Sequence, residues 1–143
     1  MNKWDERFMA LAHVVSKWSK DPSTKVGAVI TKGNRIVSLG FNGLPAGYPD
    51  DATVLDDRKV KYALTIHAEV NAITFAKDDL TGATIYCTHA PCSNCAALIV
   101  QSGIRRVVAT DPGGEFTLRW GASVALSEEL YAAVGVRHDL LSP

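Results

Sequence analysis

The chain has 143 residues, enough for a single domain, 1–143, with its own hydrophobic core. Lys+Arg and Asp+Glu both number 15, so the formal net charge is zero, and charged residues make up 21%. That balance argues against a protein built for long nucleic acid and favours a small substrate.

The first segment, NKWDERFMALAHVVSKWSK, places Phe8, Leu11, Ala12, Val15 and Trp18 at helical spacing, with Asn2 as N-cap. Its charged start predicts no secretory signal, and no apolar stretch along the chain is long enough to span a bilayer. KVGAVITKGNRIVSLGF predicts a hairpin: Val26–Thr31 and Arg35–Phe41 flank a Gly-Asn turn. A Gly-, Pro- and Asp-rich stretch up to Ile66 predicts a long loop with a short helix near its end, and such loops are usually functional.

HAEVNAITFAKDD predicts a helix starting at or just before His67. ATIYCTHA predicts a strand, and CSNCAALIVQSG a helix that Gly103 ends. IRRVVAT predicts a fourth strand, DPGGEFTLRWGAS a loop, LSEELYAAVG a helix and VRHDLL a last strand. The alternation implies parallel β-α-β crossovers, while the hairpin makes the sheet mixed. The expected class is α/β, a three-layer α-β-α arrangement around a mixed five-stranded sheet.

CTHAPCSNC holds all three cysteines. So few, and an odd number, suit no disulfide framework and fit a reducing cytoplasm. A thioredoxin-like redox pair at Cys92 and Cys95 lacks the Trp and Gly expected around it. A local zinc site using Cys87, His89, Cys92 and Cys95 would require the strand end to curl back sharply, and Cys87 inside TIYCT reads more simply as a buried apolar residue.

The third reading takes His67 as the missing ligand. Cys92 and Cys95 are three apart on one helical face, and His67 opens another helix. The positive ends of two helices favour thiolates. One neutral imidazole and two thiolates balance Zn²⁺ and leave a fourth position open for water, the mark of a catalytic ion. Glu69, two residues past His67, can approach that water without ligating the metal, as a general acid/base does. H-x-E followed by P-C-x-x-C is the signature of zinc-dependent nucleobase deaminases.

The chain resembles the cytidine/deoxycytidylate deaminase superfamily, and within it the deoxycytidylate (dCMP) deaminases. The segments that carry the resemblance are DPSTKVGAVI, GFNGLPAG, YALTIHAEVNAI and TIYCTHAPCSNCAALIVQSGI. It implies a cytidine-deaminase-like fold, one catalytic Zn²⁺ per chain and hydrolysis of dCMP to dUMP. It also implies a homo-oligomer, a hexamer in preference. Asn42 would meet the sugar hydroxyl, the Ala68 amide the cytosine O2, and the Ala90 carbonyl the amino group. The 5′-phosphate needs a positive site, for which Ser23, Thr24 and Lys25 in the first loop and Arg119 in the late loop are candidates, and Trp120 is a candidate for closing over substrate. The alternatives are another cytosine nucleotide (dCTP or a 5-substituted dCMP), tRNA adenosine, or a catalytically dead binding module.

Overall fold

The computed structural model describes residues 1–141, so the domain expected over 1–143 is described to Leu141. Helix α1, Lys3–Ser16, starts at Asn2, whose side chain accepts from Trp4 and Asp5 amides. Strands β1, Gly27–Lys32, and β2, Arg35–Phe41, form the hairpin. Short helices α2, Ala52–Asp56, and α3, Arg58–Leu64, follow. The rest runs α4 Ala68–Phe75, β3 Thr84–Cys87, α5 Ser93–Gln101, β4 Arg106–Thr110, α6 Gly114–Val134 and β5 Arg137–Leu141.

The sheet order is β2-β1-β3-β4-β5. β1 runs antiparallel to both β2 and β3, whereas β3–β4 and β4–β5 are parallel. The expected mixed five-stranded sheet is therefore present. Alternating strand residues serve two cores, as the pleat requires. Val29, Tyr86 and Val108 meet Phe8, Met9 and Ala12 of α1. Ala28, Ile30, Ile85, Cys87, Val107 and Ala109 face the opposite layer, with Ala72 of α4, Ile99 of α5 and Tyr131 of α6. Each of the larger side chains among them, Val, Ile, Phe or Met, contributes about 1.5–3 kcal/mol by leaving water. Gly40 lets α4 lie directly on β2: a Cβ there would fall 2.4 Å from the Ala68 oxygen and the Ala72 nitrogen.

Three expectations change. The first helix ends at Ser16, leaving Trp18 outside it and 54% exposed. The long loop carries two short helices rather than one, and hydrogen bonds between Gly43 and Ile66 close its ends. Most of the segment expected as a loop, 111–123, belongs to α6. Asp-Pro-Gly-Gly does turn, with Gly113 and Gly114 at φ of 71° and 56° and the Gly113 amide bonded to Asp111. After it, Phe116, Trp120, Val124, Ser127 and Tyr131 recur on one inward face, and that burial overrides the weak propensity of Thr-Leu-Arg-Trp-Gly.

A buried charge cluster ties α1 to the sheet. Arg106 of β4 donates to both carboxylate oxygens of Asp5 (2.7 and 2.9 Å), and the Tyr86 hydroxyl donates to the same group at 2.6 Å. The Arg106 hydrogen bonds, opposed by burial and helped by Tyr86, hold the Asp5 carboxyl far below the usual carboxylate range. A depressed carboxyl stabilises the fold above its unfolded pKa, and that contribution is lost as the pH falls through the folded value. Asp5→Asn is therefore expected to cost about 3 kcal/mol at neutral pH. In urea titrations the gap between the two proteins should narrow once the pH drops below about 4. A gap independent of pH would contradict this account of the cluster.

Candidate active site

Two helix N-termini meet at one end of the sheet. His67 is the N-cap of α4 and Cys92 the N-cap of α5, yet neither side chain caps its own helix. An N-cap side chain normally satisfies a free amide. Here both turn toward each other instead. His67 Nδ1 lies 3.1 Å from Cys95 Sγ and 3.7 Å from Cys92 Sγ, and the three ligand atoms all lie within 4.8 Å of one another.

A tetrahedral zinc centre with ordinary Zn–N and Zn–S bonds puts N and S about 3.6 Å apart and two sulfurs about 3.8 Å apart. The cluster fits that ion. The donors also suit it, since one imidazole and two thiolates match the borderline-soft character of Zn²⁺. Cys92 is held toward thiolate by the hydrogen bond from Cys95 and, against the opposing effect of burial, by His67. The same contact with Cys92, stronger than the opposing burial, raises the His67 imidazole. Cys87 is fully buried in the core, and burial pushes its thiol up, as expected of an inert apolar residue.

Glu69 stands on the first turn of α4, 4% exposed, in the wall of a cavity of about 450 Å³ that His67 and Cys92 also line. Burial raises its carboxyl, and the positive charge of His67 only partly offsets that. A carboxyl moved toward neutrality beside a metal cluster can both take and give a proton.

Helix α6 braces the Cys92 turn from outside. The Ser127 hydroxyl donates to the Pro91 carbonyl at 3.0 Å, and the Ser93 amide donates to Ser123 Oγ at 2.8 Å. These serines fix where α5 begins and hence where both cysteines point.

The cavity also takes in Ser23, Thr24, Asn42, Ala68, Ala90, Arg119 and Trp120. Lys25 is not among its lining residues; its ammonium donates to the Ser19 carbonyl. Asn42 is 5% exposed and already holds the first loop, accepting from the Val26 amide (2.8 Å) and donating to the Thr24 carbonyl (2.9 Å). One amide hydrogen and one lone pair remain for a ligand. Arg119 and Trp120 occupy α6, not a loop; the Trp120 ring stands edge-on to His67 at 6.2 Å between centroids. His89 lines the cavity too, edge-on to Phe116 at 5.2 Å, and burial lowers its pKa.

Sequence reasoning missed Lys61 and Asp21. Both line the cavity and both are buried, with Nζ and Oδ1 2.9 Å apart. Burial works against the Asp21 charge, but Lys61 and the Thr24 and Ser23 amides outweigh it and lower the carboxyl. Forty residues separate the pair, and no local pattern announces such a contact.

A family model described as the cytidine and deoxycytidylate deaminase zinc-binding region matches residues 2–111. An uncharacterized deaminase in the luxG 3′ region of Aliivibrio fischeri is 52% identical over 136 residues, covering 95% of this chain and 92% of that one. The human deoxycytidylate deaminase is 40% identical over 113 residues, which is 74% of this chain; the match spans 64% of the human protein. Among solved structures, the dCMP deaminase of cyanophage S-TIM5 in complex with dCMP and dUMP superposes with a TM-score of 0.79 at 26% identity, covering 99% of each chain.

Proposed function

Because the chain belongs to the cytidine and deoxycytidylate deaminase family, we propose that it hydrolyses dCMP to dUMP and ammonia with one Zn²⁺ held by His67, Cys92 and Cys95. The observation that carries this reading is the buried Glu69 carboxyl beside a three-ligand cluster, in one cavity. Bound there, Zn²⁺ supplies the Lewis acidity that makes water a competent nucleophile near neutral pH.

The protein residues do the rest. Glu69 takes a proton from the attacking water and passes it to the ring nitrogen N3. It then moves a second proton to the amino group, which leaves as ammonia while the C4 carbonyl forms. The Ala68 amide opens α4 and has no intrahelical acceptor, so it is free to receive O2 of the base. The Ala90 carbonyl, just before the Cys92 turn, accepts from the amino group and orients it. Asn42 presents its remaining amide hydrogen to the sugar. Trp120, edge-on to His67, bounds the cavity and shields the base from water.

The protein acts on a small nucleotide and needs no long nucleic acid. No helix among the described residues is long and apolar enough to cross a membrane. Its free cysteines suit the cytoplasm. The outer face of α6 leaves Leu118 89% and Leu126 54% exposed, which supports a homo-oligomer, a hexamer in preference.

Turnover of dCMP, dCTP, deoxycytidine, CMP and a tRNA adenosine substrate, compared on one zinc-quantified sample, tests the assignment. The expected result is the highest kcat/KM for dCMP. Preference for dCTP or the tRNA would replace the substrate, and inactivity on the whole panel at full zinc occupancy would make the chain a binding module.

A further inference from the structure

The sheet order sets the sequence of walls around the base. Helix α4, which brings Ala68 and Glu69, lies over β2 and β1. β3 comes next, and the turn that follows it carries His89 and Ala90. β4 stands beyond β3, and α6, which follows it, brings Phe116. All five residues line the one cavity.

A cytosine bound there meets these walls in ring order. Its O2 takes the Ala68 amide, N3 faces Glu69, and the C4 amino group faces the Ala90 carbonyl. C5 is the next ring atom, on the side of C4 away from N3. The next wall across the sheet is His89 with Phe116.

That wall is fixed. The Thr88 amide donates to the Gly27 carbonyl at 3.0 Å, and the Gly27 amide donates to Thr88 Oγ1 at 3.0 Å. On the other side Ser127 donates to the Pro91 carbonyl at 3.0 Å. His89 and Ala90 lie between these two anchors, so their backbone has little room to yield. The His89 ring stands edge-on to Phe116 at 5.2 Å, with Thr88 Oγ1 3.4 Å from its Nδ1. Burial, helped by His13, lowers its pKa against the pull of Asp111, so the ring is neutral at neutral pH and suits the apolar C5–H edge.

We propose that His89, braced by Phe116, walls the 5-position of the base and makes the site select cytosine nucleotides that carry no 5-substituent. The inference rests on the dCMP reading above. A methyl group at C5 has to displace a ring held from two sides. One group of that size in a fitted pocket changes kcat/KM by about 10–200-fold.

The test is kcat/KM for dCMP and for 5-methyl-dCMP, measured on zinc-quantified native protein, His89→Ala and Phe116→Ala. The native protein is expected to favour dCMP by about 10–200-fold. His89→Ala opens the volume of a methyl group and should narrow that ratio by about tenfold or more. Phe116→Ala frees the imidazole from a different element and should narrow it in the same direction, which keeps the test decisive if the first variant folds poorly. The methyl group also slows attack at C4 electronically, but equally in all three proteins, so the change in the ratio isolates the wall. A native protein without the preference, or a ratio unchanged in the folded variants because both substrates lose equally, would overturn the inference and leave the deaminase reading intact. Turnover of neither substrate by native protein at full zinc occupancy would overturn that reading and this inference with it.

Discussion

Glu69→Gln is expected to reduce dCMP turnover by about 10⁴-fold while the protein still holds one zinc per chain, at the upper end of what a positioned acid/base contributes. The substitution keeps the shape of the side chain and removes only its ability to exchange protons. Burial raises the Glu69 carboxyl, so its ionised form is a cost to the metal-free fold at neutral pH. The metal-free variant should therefore melt no lower than the native chain. Turnover within tenfold of native, with zinc in place, would remove Glu69 from the proton transfers.

Cys92→Ser separates the metal from the fold. Cys92 is the N-cap of α5, and serine is a favoured N-cap, so the helix keeps its start. The new hydroxyl can turn back to the free amides, which the thiol does not do. Zinc affinity should fall by more than the roughly 10–100-fold that loss of an outer-shell partner costs. Activity should fall with it, while the circular dichroism of the metal-free protein stays native-like. Retained zinc at native affinity would mean that a different donor set holds the ion.

Much of this architecture was legible in the sequence because it depends on local pattern. The hairpin follows from two β-rich runs around Gly33-Asn34, and β2 starts and ends at Arg35 and Phe41 as the pattern indicates. The metal cluster follows from spacing: three residues put Cys92 and Cys95 on one face, and His67 opens another helix with Glu69 two residues further on. Rejecting Cys87 and His89 as ligands rested on strand geometry, and Cys87 lies in the core while His89 faces Phe116.

What escaped depends on contacts between distant segments. The first half of α6 looks like a loop because two glycines and a proline open it; only packing of Phe116 and Trp120 against the core makes it helical. Lys25 and Lys61 are indistinguishable as letters. Lys25 ends at a nearby carbonyl, whereas Lys61 is drawn inward by Asp21 from a loop forty residues earlier. The serines of α6 that brace Pro91 and Ser93 are equally silent in one sequence, since their spacing matches any buried helix face.

The central claim is zinc-dependent hydrolysis of dCMP at the His67–Cys92–Cys95 cluster beside Glu69. Its most direct test is a titration of metal-depleted protein with Zn²⁺, following dUMP and ammonia formed from dCMP. Activity should rise linearly and saturate at one zinc per chain, with the two products in equal amounts. Full turnover in the metal-depleted protein, or none at saturating zinc, would contradict it.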